Sequence, residues 1–280
     1  MDFWFSEHHS KNVKYSIKVD RHIYTKQSAF QRIDIFYSQE LGNILALDGY
    51  IMVTEKDEFI YHEMITHPAF AVNPGIANVL VIGAGDGGTV RELAKYKSVE
   101  KIDMAEIDEE VVRACELYLA QTACKLRDPR VNIYFEDGLK FVRTKQGEYD
   151  LIIVDSTDPF GMGEGLFTRE FYGNCYNALA DGGILLNQHE SPFFENDAQA
   201  AARVSQRMRK VFPVSLAYQA HIPSYPSGHW LFGFASKGLH PVHDLKADDW
   251  NGLAVASKYY NTDLHKGAFA LPSYVKELLK

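Results

Sequence analysis

A doubly wound, mostly parallel α/β sheet preceded by a small antiparallel β unit is the architecture this sequence predicts, on three observations. Strand-like alternation fills the chain up to about Thr54. Beyond Asn73-Pro74-Gly75, short apolar runs take turns with segments of helical spacing, the signature of repeated strand–helix–strand units. The first of those runs, Val79-Leu80-Val81-Ile82, leads directly into the glycine loop Gly83-Ala84-Gly85-Asp86-Gly87-Gly88, as a strand does where it ends at a ligand crevice.

Taken in order, Tyr15–Val19 and Arg32–Tyr37 alternate as half-buried strands, and Gly42-Asn43 and Asp48-Gly49 supply the turns between such strands. Residues 1–54 are therefore expected to form one β domain and 55–280 the catalytic domain. Glu55–Ala71 has helical spacing and ends before the Asn73-Pro74-Gly75 turn. Strands are expected at Val79–Ile82, Lys101–Ile107, Val131–Phe135, Leu151–Val154, Gly183–Asn187 and Val214–Ala220, with helices over Glu109–Ala120 and Ala198–Val211 among the spacers. The tail from Trp250 to Lys280 reads as a flap or helix packed on this domain.

Composition excludes several classes. Apolar residues are 46% and charged residues 24% of 280, the balance of a folded soluble protein and not of a disordered one. A net charge of −8 with no basic run gives nucleic acid and anionic lipid nothing to attract, and favours cationic ligands. No apolar stretch approaches the roughly 18 residues of a membrane span, and Met1–Glu7 lacks the basic start and apolar run of a signal peptide, so a cytoplasmic location is expected. Cys115, Cys124 and Cys175 form no C-x-x-C pair and suggest neither a disulfide framework nor a thiolate metal site.

In an open α/β sheet, ligands bind beyond the carboxyl ends of the strands, and here those ends repeatedly carry acids. Asp86 sits in the glycine loop, where it would repel the pyrophosphate of a dinucleotide. Glu106, about twenty residues on, is placed to accept from both hydroxyls of a ribose. Asp137-Gly138 follows the third strand, where the carboxylate could accept from an adenine amino group or simply cap a helix. The fourth strand runs into Asp155-Ser156-Thr157-Asp158-Pro159. Grouped carboxylates repel one another unless cations or donors lie between them. An adenosine carrying a sulfonium, together with an amine, supplies such charges. The extra aspartate disfavours the carboxylate of intact S-adenosylmethionine, so a decarboxylated donor fits better.

These residues belong to longer stretches: Asp48-Gly49, Glu55-Lys56-Asp57-Glu58-Phe59-Ile60-Tyr61-His62-Glu63, the Gly83–Gly88 loop, Asp155–Pro159, Ile222-Pro223-Ser224-Tyr225-Pro226-Ser227-Gly228 and Tyr259-Tyr260-Asn261-Thr262. In them, nearly end to end, the chain resembles the polyamine aminopropyltransferases of the spermidine synthase family. The resemblance implies a methyltransferase-like (Rossmann-like) catalytic domain behind the small β domain. It also implies transfer of an aminopropyl group from decarboxylated S-adenosylmethionine to putrescine, yielding spermidine and methylthioadenosine. The donor is a co-substrate; no cofactor or metal is expected, and a homodimer or homotetramer is. Carried over by position, Gln31 and Asp86 hold the aminopropyl end of the donor, Gly83 and Gly85 form its loop, Glu106 takes the ribose, and Asp137 and Gly138 meet the adenine. Asp155 matches the proton acceptor. Tyr61, His62, Asp158 and Tyr225 match the lining of the amine channel, which Asp86 also borders, while Trp4 and Glu190 help seat the far amine. Two stretches depart from the usual pattern: Met162 stands where many relatives have proline, and Phe193-Phe194 stand near a position often held by tryptophan.

Other readings account for less. An NAD-dependent oxidoreductase would share the glycine loop and Glu106 but gives no reason for Asp86 or the acids after the fourth strand. A methyltransferase shares the sheet and would prefer intact donor. A non-catalytic polyamine-binding protein would not need Asp155 and Tyr61 beside a full donor site. A zinc hydrolase is suggested by His62 and His67, but five residues place them about 140° apart around a helix, and His67 reads as structural. Pro226-Ser227-Gly228-His229 lacks the pattern of a nucleophile elbow.

Overall fold

The computed structural model of the chain describes residues 2–156 and 167–280. The N-terminal region is antiparallel throughout. Strands β1 (Phe3–Glu7) and β2 (Tyr15–Val19) form a hairpin, and β3 (Arg21–Gln27), β4 (Arg32–Ser38), β5 (Gly42–Leu47) and β6 (Tyr50–Thr54) form a four-stranded meander. Both turn signals are used: Gly42 and Asp48-Gly49 adopt positive φ between paired strands.

Helix α1 (Glu58–Val72) then crosses into the main sheet, and all but one of its residues are buried, as expected of a helix enclosed on every side. It contains Pro68, which has no N–H to give to the Met64 carbonyl. The Tyr218 hydroxyl donates to that carbonyl at 2.8 Å, so the lost helical bond is replaced across the core.

The main sheet has seven strands. In chain order these are β7 (Asn78–Gly83), β8 (Lys101–Ala105), β9 (Val131–Tyr134), β10 (Tyr149–Asp155), β11 (Leu179–Gln188), β12 (Val214–His221) and β13 (His229–Ser236). Their spatial order is β12-β13-β11-β10-β7-β8-β9. The first five are mutually parallel, and β13 lies antiparallel between β11 and β12. The order reverses at β7, whose neighbours are β10 and β8, and a ligand crevice is expected at that switch point. Two apolar cores cover the faces, one including α1 and one including α6 (Arg169–Ala178).

The predicted strands are all present, with ends shifted by up to four residues. One strand was not anticipated. His229–Ser236 has no alternation, because it is buried on both faces between β11 and β12, and a continuous apolar run carries no strand period. The helix expected over Glu109–Ala120 breaks at Leu119 into α3 (Glu109–Tyr118) and the single turn α4 (Ala120–Ala123). The tail is three short helices, Ala247–Gly252, Thr262–Ala268 and Ser273–Leu278. Among the described residues no helix is long and apolar enough to cross a membrane.

Candidate active site

The crevice at the switch point is a cavity of about 630 Å³. Gln31, Tyr61, His62, Gly83, Gly85, Asp86, Glu106, Asp137, Gly138, Asp155, Glu190 and Tyr225 all line it. Asp158 and Met162 lie outside the described residues. Trp4 stands apart: it projects from β1, is 59% exposed and does not line the cavity, whereas Glu7, three residues on in the same strand, is buried and does.

Local backbone geometry brings the strand ends together. Asp155, the last residue of β10, lies in register with Gly83, the last of β7, and its carbonyl accepts from Ala84 N at 2.8 Å. Gly83 has φ +87°, and a Cβ there would overlap that carbonyl oxygen. The loop then opens helix α2 (Gly88–Leu93), where Gly88 fits against the face of the His62 ring with no room for a side chain.

Asp155 is the centre of the site. Tyr61 Oη donates to its Oδ1 at 2.7 Å and Thr89 Oγ1 to its Oδ2 at 2.6 Å. Burial, with the nearby Asp86 charge, pushes its carboxyl above the ordinary range despite His62 and these two bonds. Burial and the Asp155 charge in turn push the Tyr61 phenol well up, so it stays protonated and can only donate to the carboxylate. Asp86 behaves oppositely. Burial opposes its ionisation, yet His62 and the Gly88 N–H (2.8 Å) hold its carboxyl below the ordinary value.

His62 is not a free wall residue. Its Nε2 lies 3.1 Å from Asp86 Oδ1 and its Nδ1 2.6 Å from Glu58 Oε2. Glu58 is gripped from the far side by Arg91, with its two terminal nitrogens 2.8 and 2.9 Å from the carboxylate oxygens. Burial works against a charged imidazole here, but the two acids raise its pKa well above the ordinary value. His62 is an imidazolium between two carboxylates. His62, Asp86 and Asp155 approach within 4.8 Å, close enough for a metal site, but a doubly protonated ring has no lone pair to offer one.

A further wall of the cavity is built from the next two strand ends. Glu106 accepts from Asp108 N at 2.9 Å, and burial pushes its carboxyl up to about 7. Gln31 Nε2 and Ser28 Oγ both donate to Asp108 Oδ2, at 3.1 and 2.7 Å, which ties the β3–β4 turn to this wall. Asp137 caps α5 (Gly138–Arg143), accepting from Leu139 N at 2.9 Å, and also lines the cavity. On the opposite side Tyr225 donates to the Met52 carbonyl at 2.8 Å, and Asp57 accepts from Thr54 Oγ1 and Ser224 N, so β6 and the loop after β12 close over Tyr61.

Thr89, Glu58, Arg91, Asp108, Glu7, His9 and Asp197 complete the site and its supports without having been singled out in the sequence. Glu58 alone left a readable signal, standing four residues before His62 on the same helix. The others are joined to it by tertiary contacts, although Thr89 and Asp108 stand three and two residues from Asp86 and Glu106 in the chain.

Fold and site define a methyltransferase-like transferase whose strand ends crowd acids into one cavity. The chain matches the spermine/spermidine synthase domain over residues 58–246 and the spermidine synthase tetramerisation domain over residues 3–55. It is 64% identical over 280 residues to a polyamine aminopropyltransferase of Alkaliphilus oremlandii, covering all of this chain and 99% of that one. It is 62% identical over 279 residues to one of Clostridium beijerinckii, covering all of this chain and 98% of that one. Among solved structures, spermidine synthase in complex with the transition-state analogue AdoDATO superposes with a TM-score of 0.96 at 44% identity, and spermidine synthase from Thermotoga maritima with 0.95 at 43%; each covers 99% of this chain and 94% of the other. The chain belongs to the spermidine synthase family of polyamine aminopropyltransferases.

Proposed function

We propose that the protein transfers the aminopropyl group of decarboxylated S-adenosylmethionine to putrescine, giving spermidine and methylthioadenosine in one in-line displacement. The observation that carries this reading is the buried Asp155 carboxylate, held by Tyr61 and Thr89 beside an ionised Asp86. Two such charges within 4.8 Å repel by about 3 kcal/mol at an effective dielectric of about 20. A sulfonium, an ammonium and a reacting amine entering this space relieve that repulsion. That a solved relative, spermidine synthase, forms a complex with the transition-state analogue AdoDATO supports aminopropyl transfer as the activity.

In the proposed reaction Glu106 takes the ribose hydroxyls, Asp137 and Gly138 meet the adenine, and Gln31 and Asp86 hold the aminopropyl chain. The acceptor nitrogen bonds to the methylene next to sulfur, the carbon–sulfur bond breaks with its electron pair going to sulfur, and one proton is lost to Asp155. An amine of pKa about 10.4 is neutral only about once in 2,500 molecules at pH 7, a cost of roughly 4–5 kcal/mol. A carboxyl raised above the usual range is a better acceptor for that proton than an ordinary aspartate. The nearby sulfonium lowers the amine's own pKa, and orientation along the line of attack supplies several kcal/mol more. The reaction uses no metal or cofactor. Tyr225 and Glu190 line the acceptor's path, and Asp158 belongs with them by family position.

The family assignment of residues 3–55 supports a homo-oligomer, dimer or tetramer, and a cytoplasmic enzyme agrees with these substrates. Mass spectrometry of the protein with putrescine and, separately, decarboxylated or intact donor tests the reading. Spermidine and methylthioadenosine with only the decarboxylated donor are expected; a methylated amine with only the intact donor would overturn it.

A further inference from the structure

One wall of the cavity comes from the N-terminal hairpin and from α7 (Glu195–Arg209), and contains no strand end. Here His9 Nε2 lies 2.9 Å from Asp197 Oδ2, and His9 Nδ1 lies 3.8 Å from Glu7 Oε1. Both side chains of the closer pair are nearly enclosed, at 13% and 11% exposed, and the His9 ring packs on Phe194 at 4.4 Å between centroids. The contact bolts the first strands to the catalytic domain. It also has a chemical consequence, because a carboxylate on the wall of a cavity that admits amines is a seat for an ammonium. His9 Nε2 already stands in that seat, 2.9 Å from Asp197 Oδ2.

We propose that His9 is a specificity-determining residue: by occupying Asp197 it closes an additional ammonium subsite and restricts the acceptor to a diamine. This rests on the aminopropyl-transfer reading above. A triamine carries one more ammonium than a diamine, and at this wall that ammonium would meet another donor instead of an acceptor. Leaving its N–H groups unpaired in an enclosed space is the repulsive half of specificity. Burial pushes the Asp197 carboxyl up even with His9 beside it, so a fuller cation would be welcome there. Arg203, exposed on the same helix, places a guanidinium on this wall and acts in the same sense. With a triamine the chemistry is unchanged: its terminal nitrogen bonds to the propyl carbon, the carbon–sulfur electron pair leaves on sulfur, and one proton is lost.

The test is the ratio of kcat/KM for spermidine to that for putrescine, with products identified by mass spectrometry, in the wild type, His9→Ala and the double variant His9→Ala/Asp197→Asn. His9→Ala is expected to raise the ratio roughly tenfold or more by freeing a buried carboxylate for the extra ammonium, and the double variant to bring it back down. His9→Leu, closer in size and without a donor for Asp197, serves if the alanine variant does not fold. An unmoved ratio in His9→Ala overturns the proposal, as does an equal rise in the double variant, which would mean that space alone was gained. A wild type that makes no spermidine from putrescine would instead overturn the reading on which the proposal rests.

Discussion

Helix α1 carries two carboxylate–imidazole pairs of identical spacing, Glu58–His62 and Glu63–His67, and each meets an acid near or within α2, Asp86 or Glu92. The first opens on the cavity. The second is sealed: His67 Nε2 lies 3.1 Å from Glu92, its Nδ1 pairs with the Tyr96 hydroxyl at 2.8 Å, and Trp250 Nε1 donates to that hydroxyl. Glu63 accepts three successive backbone N–H groups of the tail, from Lys258, Tyr259 and Tyr260, each at 2.8 Å. With the same residue types, the second cluster is sealed and holds the C-terminal segment through Glu63, while the first leaves Asp155 facing an open cavity beside a locked charge. A cluster's composition therefore does not tell chemistry from structure; access does.

The sharpest way to break that contrast is Asp155→Asn, which keeps the shape and removes the proton acceptor. Spermidine formation is expected to fall by about 10²–10⁴, and a near-normal rate would remove Asp155 from the mechanism. Next, His62→Gln leaves Glu58 and Asp86 facing each other without their imidazolium, at a cost of about 3–5 kcal/mol in urea unfolding, together with a loss of turnover. The contribution has a sign in pH: a histidine whose folded pKa is raised stabilises fully below about 6.5, and the gain is lost as pH climbs through the raised value. His67→Gln disturbs the sealed twin. A loss of about 1–3 kcal/mol in unfolding and a tail more open to limited proteolysis are expected, with kcat/KM of the folded protein retained. A parallel collapse of catalysis would erase the distinction.

Much of the fold was legible because its signals are periodic or are punctuation: alternation in β2 and β4, the turn at Asp48-Gly49, the glycine loop after β7. The acids at strand ends were legible because topology places successive ends side by side. What remained hidden is what periodicity cannot carry. Thr89 and Tyr61 reach Asp155 across 66 and 94 residues of chain, and α2, with six residues, is too short to display a helical period. Asp197 meets His9 through tertiary packing alone, and of the β1 residues it is Glu7, not Trp4, that lines the cavity.

The smallest expected effect concerns Glu106. With a carboxyl near 7, Glu106 in its proposed ribose-binding role accepts from two hydroxyls best when ionised, so affinity for methylthioadenosine should strengthen by up to about tenfold per pH unit below 7 and level off above. Free-protein stability moves the other way across pH about 4 to 7, since the native state retains a proton that the unfolded chain has released. Calorimetric titration of the wild type against Glu106→Gln checks both, and a wild-type profile as flat as the variant's would contradict the assignment.

The antiparallel β13 also has a consequence for how the chain is made. During synthesis β12 leaves the ribosome before β13, yet it can join the sheet only through β13, which alone pairs with β11 on that side. Until residue 236 has emerged, β11 presents an unpaired edge, and the half of the sheet beyond it must wait for its later strand. The acid-bearing strand ends of β7 to β10 are complete in the nascent chain well before that edge is covered.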